Sequence, residues 1–472
     1  MNIIFYDFET TGRSPQWDQI IQVGAILCDE NLIELERFEM KCSLNNSVVP
    51  APQALLVNNL SIGILQNQNI SNYSLVNKMI NKFNEWSPAI FIGYNSISFD
   101  EEFMRNALFQ NLHQNPYLSQ TNSNKRADVY HIVQASTLYI PTGLNIPEGN
   151  NKFKLENLAP SNKIDHNDAH DALADVTATI EICKIIKNKF PDFWDYSLKT
   201  SSKTGVSEIL EGSDITCHHE SYYGKIYPYV TTHLGKYINR NNSEINICFD
   251  LKKNPEDYIE REKNELKELI KNDKILRKIR NNKHPIIMPK DNAMNFPAYQ
   301  KIGMDEILRR ADIIKNNTSF INRIIEILED AEHNIYESEA QLDIHEEESL
   351  YIGGFAKTAD KLLMKKFHEA EWEKKSSLAD NFEDKRYTYF AKKIIYQYDP
   401  NLLDGGDKEF YLKMLSTRML STNTEKWLTI PEAFNQVDDL REKYTEDEDK
   451  LEFLNEFNKY LEETLTIYQS EY

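Results

Sequence analysis

The sequence is poor in cysteine, with five residues at positions 28, 42, 183, 217 and 248. They are odd in number, widely spread and never spaced as Cys-x-x-Cys, so neither a disulfide framework nor a zinc knuckle is predicted. The sequence also lacks any run of about 18 apolar residues, the length that a membrane-spanning helix needs. Asp7 interrupts the first apolar stretch too early for a signal peptide. We therefore expect a soluble, cytoplasmic protein with reduced thiols and no membrane contact.

Positive charge is scarce as well, because 54 lysines and arginines stand against 74 aspartates and glutamates, for a net charge of −20. A generally acidic surface repels phosphate at long range, which argues against indiscriminate binding to nucleic acid. Any such contact must use a locally basic groove or bound metal ions. The hydrophobic content of 40% is ample for packed interiors. The length of 472 residues predicts about two to four domains.

The most informative stretch lies at the start of the chain. Residues 3–8 are β-branched or aromatic apart from Asp7, which is typical of a buried strand, and Thr10-Thr11-Gly12 predicts the turn that ends it. Side chains alternate along a strand, so Asp7 and Glu9 point to the same face. Two such carboxylates repel each other and are costly to desolvate unless a cation lies between them. We interpret the pair as metal ligands, although a solvated strand end can carry the same residues.

Further along, strands are predicted over residues 20–28, 32–40 and 89–94, and a helix is predicted over residues 71–84. This alternation of helices and strands is typical of an α/β fold with a mixed sheet.

A third acidic position follows the last of these strands, where a polar turn meets the start of a helix at Asp100. Acids are common in the first turn of a helix because the helix dipole stabilises them, so Asp100, Glu101 and Glu102 have an ordinary explanation. Asp100 is preferred as a ligand because Phe99 and Phe103 flank it as buried anchors.

Two histidines each stand five residues ahead of an aspartate: His166 ahead of Asp171, and His170 ahead of Asp175. The spacing does not choose between them. Helix geometry favours the second pair, because Asp175 adjoins apolar residues of the following helix, whereas Asp171 is explained as a capping acid. Asp128, which precedes the helical residues 129–138, is likewise interpreted as a cap.

Three motifs together carry a family resemblance: Asp-x-Glu-Thr-Thr-Gly at 7–12, Asn-x-x-x-x-Asp at 95–100 and His-x-x-x-x-Asp at 170–175. In this order they form the signature of DEDD-type 3′ to 5′ exonucleases, in the histidine-containing branch. Residues 93–103 and 167–175 closely resemble the bacterial exodeoxyribonuclease I family. Later stretches extend the likeness over nearly the whole chain, namely Ala340-Gln341-Leu342, Gly353-Gly354-Phe355 and Asp384-Lys385-Arg386-Tyr387.

The resemblance implies an architecture of three parts. These are an α/β ribonuclease-H-like exonuclease domain with a mixed sheet at 1–200, an SH3-like β-rich domain with helical insertions at 201–350, and a C-terminal helical domain at 351–472. The last is expected to close over the nuclease domain as a clamp. The implied activity is processive 3′ to 5′ degradation of single-stranded DNA to 5′-mononucleotides in DNA repair and recombination. The implied partner is the C-terminal tail of single-strand-binding protein, and the chain is expected to be a monomer.

The expected site residues are inferred from the chemistry of their side chains and from the resemblance together. Four acids without thiols beside them favour Mg²⁺ or Mn²⁺ over zinc, and two such ions would stabilise the attacking and leaving oxygens of a phosphodiester. The expected ligands are Asp7, Glu9, Asp100 and Asp175. His170 is the expected general base, since its neutral form is available near pH 7.

Three further residues are placed at the substrate by the resemblance. Thr10 and Asn95 are assigned to positions around the terminal nucleotide, and Lys154 is assigned to substrate contact. The first motif carries Thr10-Thr11 where the family has an aromatic second residue, and Lys154 stands where the family has an arginine. Lysine keeps the charge but loses the bidentate grip on phosphate, which bears on affinity more than on chemistry.

The region after residue 203 changes character. Residues 222–237 and 244–251 are strand-like, and Cys217-His218-His219 is a poor zinc site because adjacent residues rarely converge on one ion. Residues 261–283 carry nine lysines or arginines against four acids, so a basic helix is predicted, either as the wall of a groove for DNA or as a solvated amphipathic helix.

Two alternative functions remain open. The catalytic residues do not sense the 2′-hydroxyl, so an RNA-trimming exonuclease is possible on the same site. The chain could also be a catalytically silent single-strand-binding module, although the presence of all five candidate catalytic residues argues against it.

Overall fold

The structure is a computed structural model that describes residues 1–166, 170–239, 243–336 and 344–470. The strands of this part are β1 (Ile3–Thr10), β2 (Ile20–Cys28), β3 (Glu34–Lys41), β4 (Ile90–Gly93), β5 (Lys125–Asp128), β6 (Thr216–Tyr222), β7 (Lys225–Ile238), β8 (Glu244–Asp250), β9 (Leu276–Arg280) and β10 (Met288–Pro289).

The helices up to residue 336 are α1 (Pro52–Val57), α2 (Ile62–Gln66), α3 (Asn72–Trp86), α4 (Asp100–Gln110), α5 (Val129–Tyr139), α6 (Leu155–Ser161), α7 (Ala172–Lys189), α8 (Pro191–Lys199), α9 (Lys203–Gly212), α10 (Lys263–Asp273), α11 (Pro297–Gln300), α12 (Met304–Lys315) and α13 (Thr318–Tyr336). The later helices are α14 (Thr358–Glu369), α15 (Trp372–Ala379), α16 (Lys385–Tyr398), α17 (Gly405–Leu420), α18 (Ile430–Lys443) and α19 (Glu448–Ser470).

The first sheet has the strand order β3-β2-β1-β4-β5. β1 pairs antiparallel with β2 and parallel with β4, so the predicted mixed sheet is confirmed. Alternate residues of β1 enter different cores: Ile4, Tyr6 and Phe8 pack with residues of α3, whereas Ile3 and Phe5 pack with residues of α5 and α7. Asp7 and Glu9 continue the second series, so they lie on the face of the sheet that α7 covers.

The second sheet is antiparallel, with the order β10-β6-β7-β8-β9, and it forms the predicted β-rich module. The prediction of one basic helix over residues 261–283 is wrong in part. α10 ends at Asp273, Lys274 adopts a left-handed conformation with φ of 51°, and residues 276–280 form β9 against β8. The prediction rested on the many charged residues of this stretch. Ile275 and Ile279 are buried, and their burial holds the stretch against the sheet as an edge strand.

The C-terminal region is helical, as predicted, and it shares one core with the domain of the first sheet. Phe390 and Phe457 of this region pack in a cluster that includes Leu55 of α1 and Phe109 of α4. This continuous core fixes the helical domain against the first sheet's domain.

Two of the stretches that carry the resemblance meet in space, because the guanidinium of Arg386 donates to the carbonyls of Ser349 and Gly353 at 2.9 Å. The third stretch, Ala340-Gln341-Leu342, lies outside the described residues, as do residues 167–169. The domain limits at 1–200, 201–350 and 351–472 stay predictions. Within the described ranges, no helix has both the length and the apolar character that crossing a bilayer would require.

Candidate metal centre and nuclease site

The start of α7 reaches β1 because of a glycine on the neighbouring strand. Gly24 lies opposite Asp7 in the register of β1 and β2. A Cβ atom at Gly24 would lie only 2.5 Å from the carbonyl carbon of Ala172, so only glycine allows the helix to approach so closely. This approach brings Asp175, in the first turn of α7, to the two acids of β1. One carboxylate oxygen from each of Asp7, Glu9 and Asp175 lies within 4.8 Å of the others.

Asp100 lies beside these three carboxylates. It is the first residue of α4, is only 3% exposed, and its Oδ1 accepts a hydrogen bond from the backbone N–H of Phe8 at 3.0 Å. Since Phe8 stands between Asp7 and Glu9, this bond ties the start of α4 to the acidic part of β1. The structure thus gathers the four acids predicted as ligands, from three separate elements.

The electrostatics of this cluster favour a bound cation. Burial, followed by the charges of Asp175 and Asp100, raises the pKa of Glu9 to about 9. Burial also raises the pKa of Asp100 to about 8. Burial and the charges of Asp100 and Asp175 raise the pKa of Asp7 well above its usual range. Carboxylates in this state hold protons near pH 7 unless a cation replaces them, and an all-oxygen donor set fits a hard divalent ion.

Asp171 behaves as the predicted cap. Its Oδ1 accepts hydrogen bonds from the backbone N–H groups of Leu173 and Ala174, each at 3.2 Å. Its Oδ2 accepts from Nε2 of Gln22 at 2.8 Å and lies 3.5 Å from Nζ of Lys41. Although burial opposes it, these partners lower the pKa of Asp171.

The contacts of Gln22 and Lys41 with Asp171 were not predicted from the sequence. The two residues lie on β2 and β3, and their spacing in the chain gives no signal of contact with the start of α7.

Both candidate histidines contact Asp175, but through different atoms. The side chain of His166 is 2% exposed, and its Nε2 lies 2.6 Å from Oδ1 of Asp175. His170 contacts the same oxygen through its backbone N–H at 3.2 Å, and its ring lies elsewhere, with Nε2 3.3 Å from Oε2 of Glu156. The ring of His170 is 38% exposed and is therefore accessible to water. Neither the direct contact of His166 with Asp175 nor the role of Glu156 was predicted from the spacing.

The residues assigned to the substrate have distinct surroundings. Thr10 is buried, and its hydroxyl donates to the carbonyl of Gly12 at 2.7 Å, which closes the turn after β1. Lys154 is exposed, and its Nζ lies 3.3 Å from Oε1 of Glu156. Glu156 therefore lies between the ammonium of Lys154 and the ring of His170.

The turn that holds Asn95 is supported by Asp128. The backbone N–H groups of Asn95 and Ile97 donate to the two oxygens of Asp128, at 2.8 and 3.0 Å. Asp128 also accepts from the backbone N–H of Tyr130 at 3.0 Å and caps α5, as predicted. The carboxylate thus fixes Asn95, whose φ of 60° lies in the left-handed region.

A cleft of about 470 Å³ lies beside the carboxylate cluster and is reached by one of its acids, Asp175. Asn95, Lys154, His170 and Asp175 all line it. Its wall is aromatic, since the rings of Tyr94 and Tyr130 lie 6.0 Å apart and those of Tyr130 and Phe153 lie 6.3 Å apart. Other lining residues are Asn150, Asn151, Leu155, Glu156, His166 and Gly224. A cleft that joins carboxylates, an accessible imidazole, a cation and aromatic rings can bind the end of a nucleic-acid strand.

Comparison with protein families supports this interpretation. The family model described as Exonuclease matches residues 4–183, which contain the four acids and both histidines. The model described as Exonuclease I C-terminal domain matches residues 344–464, which contain most of the C-terminal helices. The two matches stand in the order that the motifs predict.

Relatives and solved structures cover nearly the whole chain. Exodeoxyribonuclease I of Buchnera aphidicola subsp. Schizaphis graminum is 26% identical over 98% of this chain and 95% of its own length. That of Escherichia coli K12 is 24% identical over 98% and 97%. The crystal structure of E. coli exonuclease I with a dA16 oligonucleotide has a TM-score of 0.82 at 22% identity, covering 98% of this chain and 99% of that one. The resemblance found in the motifs is thereby confirmed, and the chain belongs to the exonuclease I family.

Proposed function

We propose that this chain is a 3′ to 5′ exonuclease that hydrolyses single-stranded DNA and releases 5′-mononucleotides. The observation that carries the proposal is the convergence of Asp7, Glu9 and Asp175, with Asp100 beside them, next to a cleft that Asp175 lines. Family membership supports the reaction class, and relatives that match nearly the whole chain are exodeoxyribonucleases I. Solved structures of E. coli exonuclease I contain dA16 and dT13 oligonucleotides, which supports a single-stranded substrate.

The four carboxylates would hold the divalent ions, for which we propose Mg²⁺, with Mn²⁺ as a substitute. When bound, two such ions neutralise phosphate charge and stabilise the attacking and leaving oxygens. The chain's own contribution is to place the acids before substrate arrives, through the Phe8 N–H bond to Asp100 and the close packing of α7 on Gly24. A structure of E. coli exonuclease I with single-stranded DNA is described as a zinc-bound form, so zinc belongs in the test.

His170 is proposed as the general base. Nε2–H of its ring would donate to the carboxylate of Glu156, which lies 3.3 Å away, and this bond would orient the ring. The other ring nitrogen, Nδ1, would take the proton from the attacking water. Lys154 would contact a phosphate at the mouth of the cleft, while Thr10 and Asn95 would shape the pocket for the terminal nucleotide. Thr10 would do so through the turn that it closes, since its hydroxyl already donates to Gly12.

The cysteines bear on the cellular setting. All five cysteines are buried and unpaired, which fits the reducing cytoplasm. We propose a monomer that acts processively in DNA repair and recombination, with the C-terminal helices as a clamp and the tail of single-strand-binding protein as a partner. The helical domain's shared core with α1 and α4 supports a fixed clamp.

The direct test uses 5′-labelled DNA and RNA strands of matched sequence with Mg²⁺, Mn²⁺ or Zn²⁺, and then with a chelator. We expect stepwise shortening of the DNA from its 3′ end with Mg²⁺ or Mn²⁺ and none with chelator. The exposed acid Asp192 in α8 offers a control, since Asp192→Asn should keep full activity whereas Asp175→Asn should lose it. Cleavage that persists in chelator would contradict the metal mechanism, and equal or faster cleavage of RNA would contradict the DNA assignment.

A further inference from the structure

We propose that the hairpin between β6 and β7 is a stacking site for nucleobases of the strand that enters the cleft, formed by Tyr222, Tyr223 and Tyr227. The inference rests on the proposed function and adds to it a site outside the carboxylate cluster. The ligand class is an unpaired nucleobase, because aromatic side chains stack on the π-face of any base.

The tip of the hairpin stands at the cleft itself. Gly224 lines the cleft together with His170 and Asp175. A Cβ atom at Gly224 would lie 3.6 Å from the carbonyl oxygen of Asn150, so the tip meets the loop on the opposite wall. A strand whose 3′ end reaches Asp175 therefore has the hairpin as a neighbour at the cleft's edge.

The hairpin is held in this position by the nuclease domain. Nε2 of Gln134, on α5, donates to Oγ of Ser221 at 3.2 Å, and Ile226 packs against the core that includes α5. These contacts lie on the face of the hairpin that carries Ser221 and Ile226. The tyrosines of the other face are thus presented on a fixed support, which lowers the ordering cost of binding.

Neither packing nor turn chemistry explains the aromatic residue at the tip. The two turn residues, Tyr223 and Gly224, have φ of 51° and 73°, the conformation of a two-residue hairpin turn that favours Asn-Gly. A bulky side chain at positive φ is uncommon and carries a steric cost. The side chain of Tyr223 is also fully exposed, at 104% of its reference area, so it gains nothing from burial. A ligand that stacks on it would give this tyrosine a function.

The neighbouring tyrosines extend the surface along one face of the hairpin. The rings of Tyr222 and Tyr227, which are 51% and 42% exposed, have centroids 6.0 Å apart. The hydroxyl of Tyr222 donates to Glu220 at 2.7 Å, which restrains its ring. Further along the same face, the guanidinium of Arg277 lies 3.8 Å from the ring centroid of Tyr229. This arginine side chain is only 13% exposed and is paired with Asp250 and Glu220, so the rings themselves carry the surface. Exposed aromatic rings are the groups on which single-strand-binding surfaces stack bases, whereas a protein partner requires no connection to the cleft.

The test replaces Tyr223 by asparagine, which suits the left-handed turn but cannot stack, and by phenylalanine, which can. Binding is measured in chelator, so that no strand is cut, with oligothymidylates that carry one 2-aminopurine at successive positions from the 3′ end. We expect quenching at one or two positions several nucleotides from the end in the parent protein. Tyr223→Asn should remove this quenching and weaken binding about 5- to 100-fold, and Tyr223→Phe should restore both.

Two controls separate this proposal from its alternatives. Leu35 in β3 is 54% exposed, so Leu35→Ala removes an exposed apolar side chain outside the cleft and outside the C-terminal helices and should leave binding unchanged. The thermal midpoint of Tyr223→Asn should equal or exceed that of the parent, because asparagine relieves the turn. An abasic nucleotide at the quenched position should weaken binding to the parent but hardly to Tyr223→Asn.

The outcomes are distinguishable. If the parent binds and degrades the strand but Tyr223→Asn and the double variant Tyr222→Ala/Tyr227→Ala bind equally well, the stacking site is wrong and the proposed function stands. Tyr223→Asn could also weaken binding while the abasic nucleotide weakens binding to this variant as much as to the parent. In that case the tyrosine does not contact that base, and the stacking site is again wrong. If the parent neither binds nor cuts single strands, the proposed function fails first and the stacking site fails with it.

Discussion

Two groups of buried carboxylates in this molecule have opposite electrostatics. Glu347, near the start of the C-terminal region, is fully buried, and its carboxylate accepts from Lys393 at 2.9 Å, Arg418 at 2.8 Å and the hydroxyl of Tyr389 at 2.7 Å. Although burial opposes it, these cations hold its pKa well below the usual range. Glu9 is 7% exposed but has acids as neighbours, and its pKa is raised to about 9. Burial is therefore common to both groups, and the sign of the neighbouring charge separates a structural acid from a candidate metal ligand.

The same contrast occurs between consecutive residues of α4. Burial, with smaller contributions from the charges of Asp128 and Glu101, raises the pKa of Asp100 to about 8. Glu101 is equally buried, but its Oε2 lies 2.6 Å from Arg126 and 2.9 Å from Arg105, and its pKa is lowered despite burial. Helix-start acidity alone does not distinguish the two, whereas their partners do.

The largest expected effect comes from removing one of the four acids of the candidate metal site. Asp175→Asn keeps the shape of the side chain but removes a charge that a divalent ion needs, so hydrolysis of single-stranded DNA should fall by more than about 10³-fold. Strand binding in chelator should persist. Rates measured by release of nucleotides at saturating Mg²⁺ check this, with Asp192→Asn as the matched control. Turnover close to that of the parent would remove Asp175 from the ligand set.

Replacing either histidine should lower the rate of hydrolysis less than replacing Asp175 does. His170→Ala should lower the rate about 10²- to 10⁴-fold, the range of a general base, and its loss should be less severe than that of Asp175. His166→Ala should act mainly on metal affinity, because its ring contacts Asp175 directly. Titration of each variant with Mg²⁺, followed by activity and by calorimetry, separates the two. An unchanged rate in His170→Ala with a large loss in His166→Ala would reverse the assignment.

The matched change at Glu347, the acid that cations surround, should act on stability. Glu347→Gln leaves Lys393 and Arg418, whose side chains are only 13% exposed, without their counter-charge, and breaking a buried pair typically costs about 3 to 5 kcal/mol. We expect a lower unfolding midpoint in thermal scans and, below that midpoint, hydrolysis near the parent rate. A midpoint equal to that of the parent would show that the cations are satisfied by water.

How much of this contrast could be predicted from sequence depends on the distance between partners. Alternation along β1 places Asp7 and Glu9 on one face, and motif order gives Asp100 and Asp175, so the acids of the candidate site could be predicted. The cations that neutralise Glu347 lie 46 and 71 positions away along the chain, with no motif connecting them. The space that admits α7 depends on Gly24, whose role becomes visible only when strand register is known. The prediction for the basic stretch after residue 261 was wrong in part because its many charges obscured Ile275 and Ile279, which are buried just before and within β9.

The last prediction concerns pH, where the two groups should have opposite signs. Carboxyl groups in unfolded chains have pKa values of about 4. In the folded protein the pKa values of Glu9 and Asp100 are raised to about 9 and about 8. Between about pH 4 and these raised values, the folded state therefore binds more protons than the unfolded state. The contribution of these two acids to stability is therefore complete below about pH 4 and is lost as pH rises through 8 to 9. Glu347 has a lowered pKa, so its contribution is present above about pH 4 and is lost in acid.

Thermal midpoints of the chelated protein should consequently fall between pH 6 and pH 9, and saturating Mg²⁺ should raise them increasingly over the same range. Mg²⁺ binds the ionised carboxylates and so competes with their protons, which makes the stabilisation grow with pH. Glu9→Gln should flatten the decline in chelator, because it removes one of the groups that must lose a proton. Glu347→Gln should lower every midpoint but keep the slope. A slope that is the same with Mg²⁺ and with chelator would show that the acids are already ionised, and the distinction between the two groups would then be wrong.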